Sequence, residues 1–172
     1  MYKILIKFIF RKKIPKIQGI KNLLDEAKKT CLKLSTTELN QLQIGNYKYE
    51  AKDAIEELGI TSDLVHQLVE DYVVQIIKSE VHFLNIINEL KKDEQNQKEL
   101  DYTELRELIH KNLGVARNLR IKDAQTILEE MMGKEDLIYL SYAVNALYAC
   151  AVKLKPTCAY DTIKLIEIKN SL

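Results

Sequence analysis

Residues 137–152, LIYLSYAVNALYACAV, run for sixteen positions without a charge. The spacing is helical, and a helix that is apolar on every side has to be covered on every side. The stretch is short for a membrane span and is interrupted by Ser141 and Asn145. It therefore reads as the central helix of a helical core. Something must cover its outer face. A helix over about residues 18–34 and the C-terminal segment 159–170 are the candidates within the chain, and a homodimer contact is the alternative.

The rest of the chain supports an all-α fold. With 172 residues it is one domain, or one domain plus an extension. Two prolines and five glycines leave long Leu/Ile/Val-rich stretches uninterrupted. Ile20, Leu23, Leu24, Ala27, Cys31 and Leu34 fall at helical spacing. YEAKDAIEELG reads as a short helix stopped by Gly59, and a long helix follows, capped by Thr61 or Ser62. KKDEQNQKE (91–99) has no apolar residue and reads as a solvated loop. Three more helices span about 101–119, 123–132 and 136–154, and the tail DTIKLIEIKN leans to helix over strand. Short connections predict an up-and-down antiparallel four-helix bundle over residues 48–155. Residues 1–47 then form an N-terminal extension, a basic apolar segment plus an amphipathic helix. Residues 156–172 form a short C-terminal segment packed on the bundle.

Charge and cysteine content narrow the setting. A net charge of +1 argues against a general nucleic-acid binder. Residues 1–16 carry six basic side chains (Lys3, Lys7, Arg11, Lys12, Lys13, Lys16) and no acid. With +6 there and +1 overall, the remainder nets −5. YKILIKFIF within this segment is about half a membrane span long, has lysines inside it and lacks the order of a secretory signal. It reads as an edge strand or docked amphipathic segment, with a tether to anionic membrane as the alternative. Cys31, Cys150 and Cys158 lie in apolar helical patterns and read as reduced core residues of a cytoplasmic protein.

One histidine stands out. LIHKNLGVARNLRI (108–121) reads as helix, yet Gly114 costs such a helix roughly 1 kcal/mol relative to alanine. On a helical wheel Tyr102, Leu105, Ile109, Leu113 and Ala116 make the core face. His110 sits about 100° away at the rim, with Arg106 and Arg117 beside it and Gly114 one turn on. Alone, such a histidine is a surface residue and such a glycine a packing contact. Together they have a chemical meaning. Imidazole is a competent nucleophile near neutral pH, and flanking guanidinium groups would stabilise a phosphoryl group placed on it. Bare backbone at Gly114 would let a partner approach.

IHKNLGVARNLRI resembles the signature helix of histidine-containing phosphotransfer (HPt) domains, which has a phosphorylated histidine with glycine four residues on. A small residue follows at plus six and often Asn-Leu at plus eight and nine. Here these are His110, Gly114, Ala116 and Asn118-Leu119. Upstream, IEELGITSDLVHQLVEDYV is similar to the family's leading helix and first long helix. Residues 48–132 are covered well, 133–155 more loosely, and the first 47 not at all. Three positions depart from the pattern: Leu113 replaces the expected lysine, Asn112 an apolar residue, and Arg120 a common second glycine.

The resemblance implies a phosphorelay protein of a two-component system. His110 would accept a phosphoryl group from a receiver-domain aspartate and pass it on. Arg106, Arg117, Gly114, Leu113, Lys111 and Asn118 would stabilise the group or dock the partner. The partners implied are response-regulator receivers, including one fused to a hybrid sensor kinase, and the chain would be a monomer or weak homodimer. Nothing resembles an ATP site, since the glycines at 19, 45, 59, 114 and 133 are scattered, so the chain would be a phosphoryl carrier rather than a kinase. No metal or other cofactor of its own is expected, and the Mg²⁺ would belong to the receiver. The alternative is a non-catalytic helical adaptor that docks on receivers or dimerises.

Overall fold

The computed structural model describes residues 15–46 and 48–171. All regular structure among them is helical: α1 Lys16–Thr36, α2 Lys52–Leu58, α3 Ser62–Gln95, α4 Thr103–Asn118, α5 Lys122–Met132, α6 Leu137–Leu154 and α7 Pro156–Asn170. The segment YKILIKFIF, expected as an edge strand or docked segment, lies outside the described residues.

Local chemistry sets the helix ends. Gly59 closes α2 in the left-handed region at φ +64°, where a residue without Cβ is unstrained. The Thr61 hydroxyl accepts from Leu64 N–H to open α3, and Asp136 accepts from both Ile138 and Tyr139 N–H to open α6. Pro156 stands at the first position of α7, where its missing N–H has no intrahelical partner to lose.

The tail 159–170 is helical as leaned to, but the solvated loop expected at 91–99 is shorter than that. α3 runs on through Gln95. Lys, Asp, Glu and Gln are serviceable helix residues without any apolar contact, and Lys91 gains one anchor by donating to Ser141 Oγ at 2.9 Å. The helix ends where Gln97 turns to φ +55° and Lys98 N–H reaches back to the Asp93 carbonyl.

α3 packs on α4, α4 on α5, α5 on α6, and α6 back on α3. α1 and α7 lie against both α6 and each other, and α7 also covers part of α3. The charge-free helix is therefore covered on most of its sides by α1, α3, α5 and α7, while Ile138 in its first turn stays exposed. α6 is long and apolar enough to cross a membrane by those two measures, and it buries Leu140, Val144, Leu147 and Val152 in the protein core. One hydrophobic cluster joins Ala27 and Cys31 of α1 to Phe83 and Ile87 of α3, Ile109 of α4, Leu128 of α5 and Ala159 of α7.

α1 and α7 meet closely at Gly19. A Cβ there would stand 2.7 Å from the Tyr160 ring, which is buried and has Lys164 over its face at 5.7 Å. Substituting alanine would favour the helix by about 1 kcal/mol but would drive the ring out of its packing. Gly19→Ala is expected to destabilise the protein by about 1–2 kcal/mol net, read as a lower midpoint in chemical denaturation.

Candidate functional site

α4 positions the histidine. Leu105, Ile109, Asn112, Leu113 and Ala116 are its buried side, which leaves His110 and Gly114 on the surface. His110 is exposed in the middle of the helix and has no hydrogen-bond or ion-pair partner among the described residues. One turn on, a Cβ built at Gly114 would meet nothing within 4 Å. The glycine therefore makes no close helix contact, unlike Gly19.

The two arginines on the histidine's side are held by carboxylates. Arg106 bonds Glu135 at 3.3 Å and stacks over the Tyr102 ring at 5.5 Å, while the Tyr102 hydroxyl donates to the Glu135 carbonyl at 2.8 Å. These contacts tie the start of α4 to the loop before α6. Arg117 donates through Nε and a terminal nitrogen to one oxygen of Glu129, at 3.1 and 2.8 Å, and Gln125 donates to the same oxygen at 3.0 Å. The Arg117 hydrogen bond, with that of Gln125 second, holds the Glu129 carboxyl below its ordinary range. Lys111 and Asn118 are exposed and have no partner among the described residues.

The three departures from the resembled pattern each have a structural account. Leu113, carried with the site in the sequence reading, is only 4% exposed and belongs to the core. Its side chain faces inward, away from the surface on which His110 stands. Asn112 is fully buried yet satisfied: its Oδ1 accepts from Gln75 Nε2 at 2.7 Å and its Nδ2 donates to the Leu108 carbonyl at 2.8 Å. This pair links α3 to α4 directly beneath the histidine's turn. Asn112→Ala would open a cavity and leave Gln75 unpaired, and should lower stability by about 1–3 kcal/mol in a denaturant titration. Arg120 sits at φ +57°, the left-handed stop of α4, with Ile121 N–H bonded to the Ala116 carbonyl at 2.9 Å. A glycine would be unstrained there. Arg120 instead pairs with Glu57 of α2.

The other histidines are also exposed, with His82 lying 3.5 Å from Glu104 across α3 and α4. Among the described residues no group of three or more His, Cys, Asp or Glu side chains could hold a metal ion. Sequence reasoning missed a second polar cluster, formed by Cys31, Asp123, Cys150 and Lys153. These residues come from three helices far apart in the chain, and no spacing pattern announces them. The one available signal was a charged residue, Asp123, on the buried side of a short amphipathic helix. No family model, curated protein or solved structure matches the chain.

Proposed function

We propose that the chain is a histidine phosphotransfer protein, with α3 to α6 arranged as an up-and-down antiparallel four-helix bundle and His110 as the phosphoryl acceptor. The observation that carries this reading is His110 itself, exposed at mid-helix and without a partner among the described residues, with open space above Gly114 one turn on. The imidazole nitrogen attacks the phosphorus of a receiver's aspartyl phosphate. An N–P bond forms, the acyl P–O bond breaks, and the receiver recovers its carboxylate. The Mg²⁺ that supports this transfer and the ATP that charges the pathway are supplied by other proteins, so the chain acts as a carrier in a cytoplasmic relay. Enclosure of α6 by helices of its own chain favours a monomer.

Arg106 and Arg117 can take part only by leaving Glu135 and Glu129. Exposed ion pairs of this sort contribute about 0–1 kcal/mol, whereas a phosphoryl group carries close to two charges and three acceptor oxygens. Exchange of carboxylate for phosphoryl is therefore downhill once the group is on the histidine, and Lys111 is already uncommitted.

The second reading, a non-catalytic adaptor that docks on receivers, is favoured by the same ion pairs, since both arginines have carboxylate partners and the expected lysine is a buried leucine. One experiment separates the two. Mixing the chain with a radiolabelled phosphorylated receiver should move the label to this chain as acid-labile, alkali-stable phosphate. A stable complex with the label left on the receiver would establish the adaptor instead.

A further inference from the structure

Away from the histidine face, α1, α5, α6 and the loop before α2 bring the chain's reactive side chains together. Cys31 of α1 and Cys150 of α6 are 119 positions apart in sequence, with their sulfurs 3.8 Å apart. They are 2% and 7% exposed. Asp123 of α5 approaches from another side: its Oδ2 lies 3.8 Å from the Cys150 sulfur and accepts from Gly45 N–H at 3.2 Å. Lys153 donates to the Gly45 carbonyl, so a cation and a carboxylate both stand beside the thiols.

Cys150, Asp123 and Lys153 also line a cavity of about 410 Å³, together with His66 and Tyr72. Tyr72 is 2% exposed, and its hydroxyl has no partner in the described structure. Cys150 stands in the wall of this cavity, with the Cys31 sulfur 3.8 Å from its own. Two thiols placed only to fill a core need neither a cavity beside them nor charged neighbours. The hydrogen bond from Cys150, and then the Lys153 charge, hold the Cys31 thiol below its ordinary range. The Cys150 thiol is pushed up by giving that hydrogen bond and by burial.

We propose that Cys31 and Cys150 form a modification site, a dithiol that a small peroxide entering the cavity converts to an intramolecular disulfide. Cys150, the thiol in the cavity wall, attacks one peroxide oxygen. An S–O bond forms, the O–O bond breaks, and the departing hydroxide takes up the Cys150 proton, leaving as water. The Cys31 sulfur then attacks the Cys150 sulfur. The S–S bond forms, the S–O bond breaks, and the second oxygen leaves as water with the Cys31 proton. In sum, two thiols and one hydrogen peroxide give one disulfide and two waters, with two electrons passing from sulfur to oxygen. The sulfurs have to close from 3.8 Å to about 2.05 Å.

The product ties α1 to α6 across most of the chain, so it should be visible in stability as well as mass. The test uses the full chain carrying Cys158→Ala, which removes the third free thiol, treated with equimolar hydrogen peroxide. The monomer should lose the mass of two hydrogen atoms, and a non-reducing peptide map should show Cys31 joined to Cys150. Tm should rise by roughly 5–10 °C, and dithiothreitol should reverse every change. Oxygen adducts on Cys150 without a cross-link, a cross-link between two chains, or no reaction at either thiol would each overturn the proposal. The same map on the unsubstituted chain guards against an effect of the Cys158 change. A link to Cys158 in place of Cys31–Cys150 there would also overturn it.

Discussion

On the proposed function, His110→Gln is expected to abolish phosphoryl acceptance from a receiver and to leave the helical fold as it was. Exposed positions without partners tolerate substitution within about 0.5 kcal/mol, and glutamine is a better helix residue than histidine. The amide keeps a polar group of similar size on the surface but has no nitrogen able to form the N–P bond, so the loss should be complete rather than graded. The check is a transfer assay on the variant beside a thermal unfolding curve. Label that persists on the chain, or that moves to His66 or His82, would remove His110 from its proposed role. His82 is the weaker rival because Glu104 lies against it.

How far this reading could be made from sequence varies from element to element. α6 was the most legible, because sixteen residues without a charge can only be enclosed, and both covering helices could be named in advance. The core face of α4 was equally legible, because a 3.6-residue period fixes which side chains share a side. The end of α3 was not. KKDEQNQKE carries no apolar periodicity, and a helix that projects beyond its neighbours leaves no hydrophobic trace of its length. The wheel also left Asn112 unexplained. A buried amide is expensive alone and stable when paired, and its partner Gln75 lies on another helix, where no one-dimensional pattern connects them. Arg106 and Arg117 were placed on the right side of α4, but their carboxylates sit on α5 and in the following loop, so their committed state became visible only in three dimensions. The same holds more strongly for Cys31 and Cys150, which the sequence shows only as two core cysteines.

Gly114→Gln should separate docking from chemistry. The site is helical and the space above it is open, so the new side chain meets no neighbour and the helix gains up to about 1 kcal/mol. For a chain of this size that corresponds to a Tm higher by roughly 2–4 °C. A receiver that must lay its own surface over this turn to reach His110 would now meet a whole glutamine side chain, so binding and transfer should fall together. A small phosphodonor such as phosphoramidate reaches the imidazole without laying a surface on the helix. It should therefore phosphorylate His110 in the variant nearly as well as in the original chain. That pairing is the reverse of His110→Gln, which removes the acceptor for both donors and leaves receiver binding in place. If Gly114→Gln lowered Tm, or left receiver transfer unchanged, the open backbone would have no part in admitting a partner. The glycine would then be a helix defect of about 1 kcal/mol with no compensating use at this position.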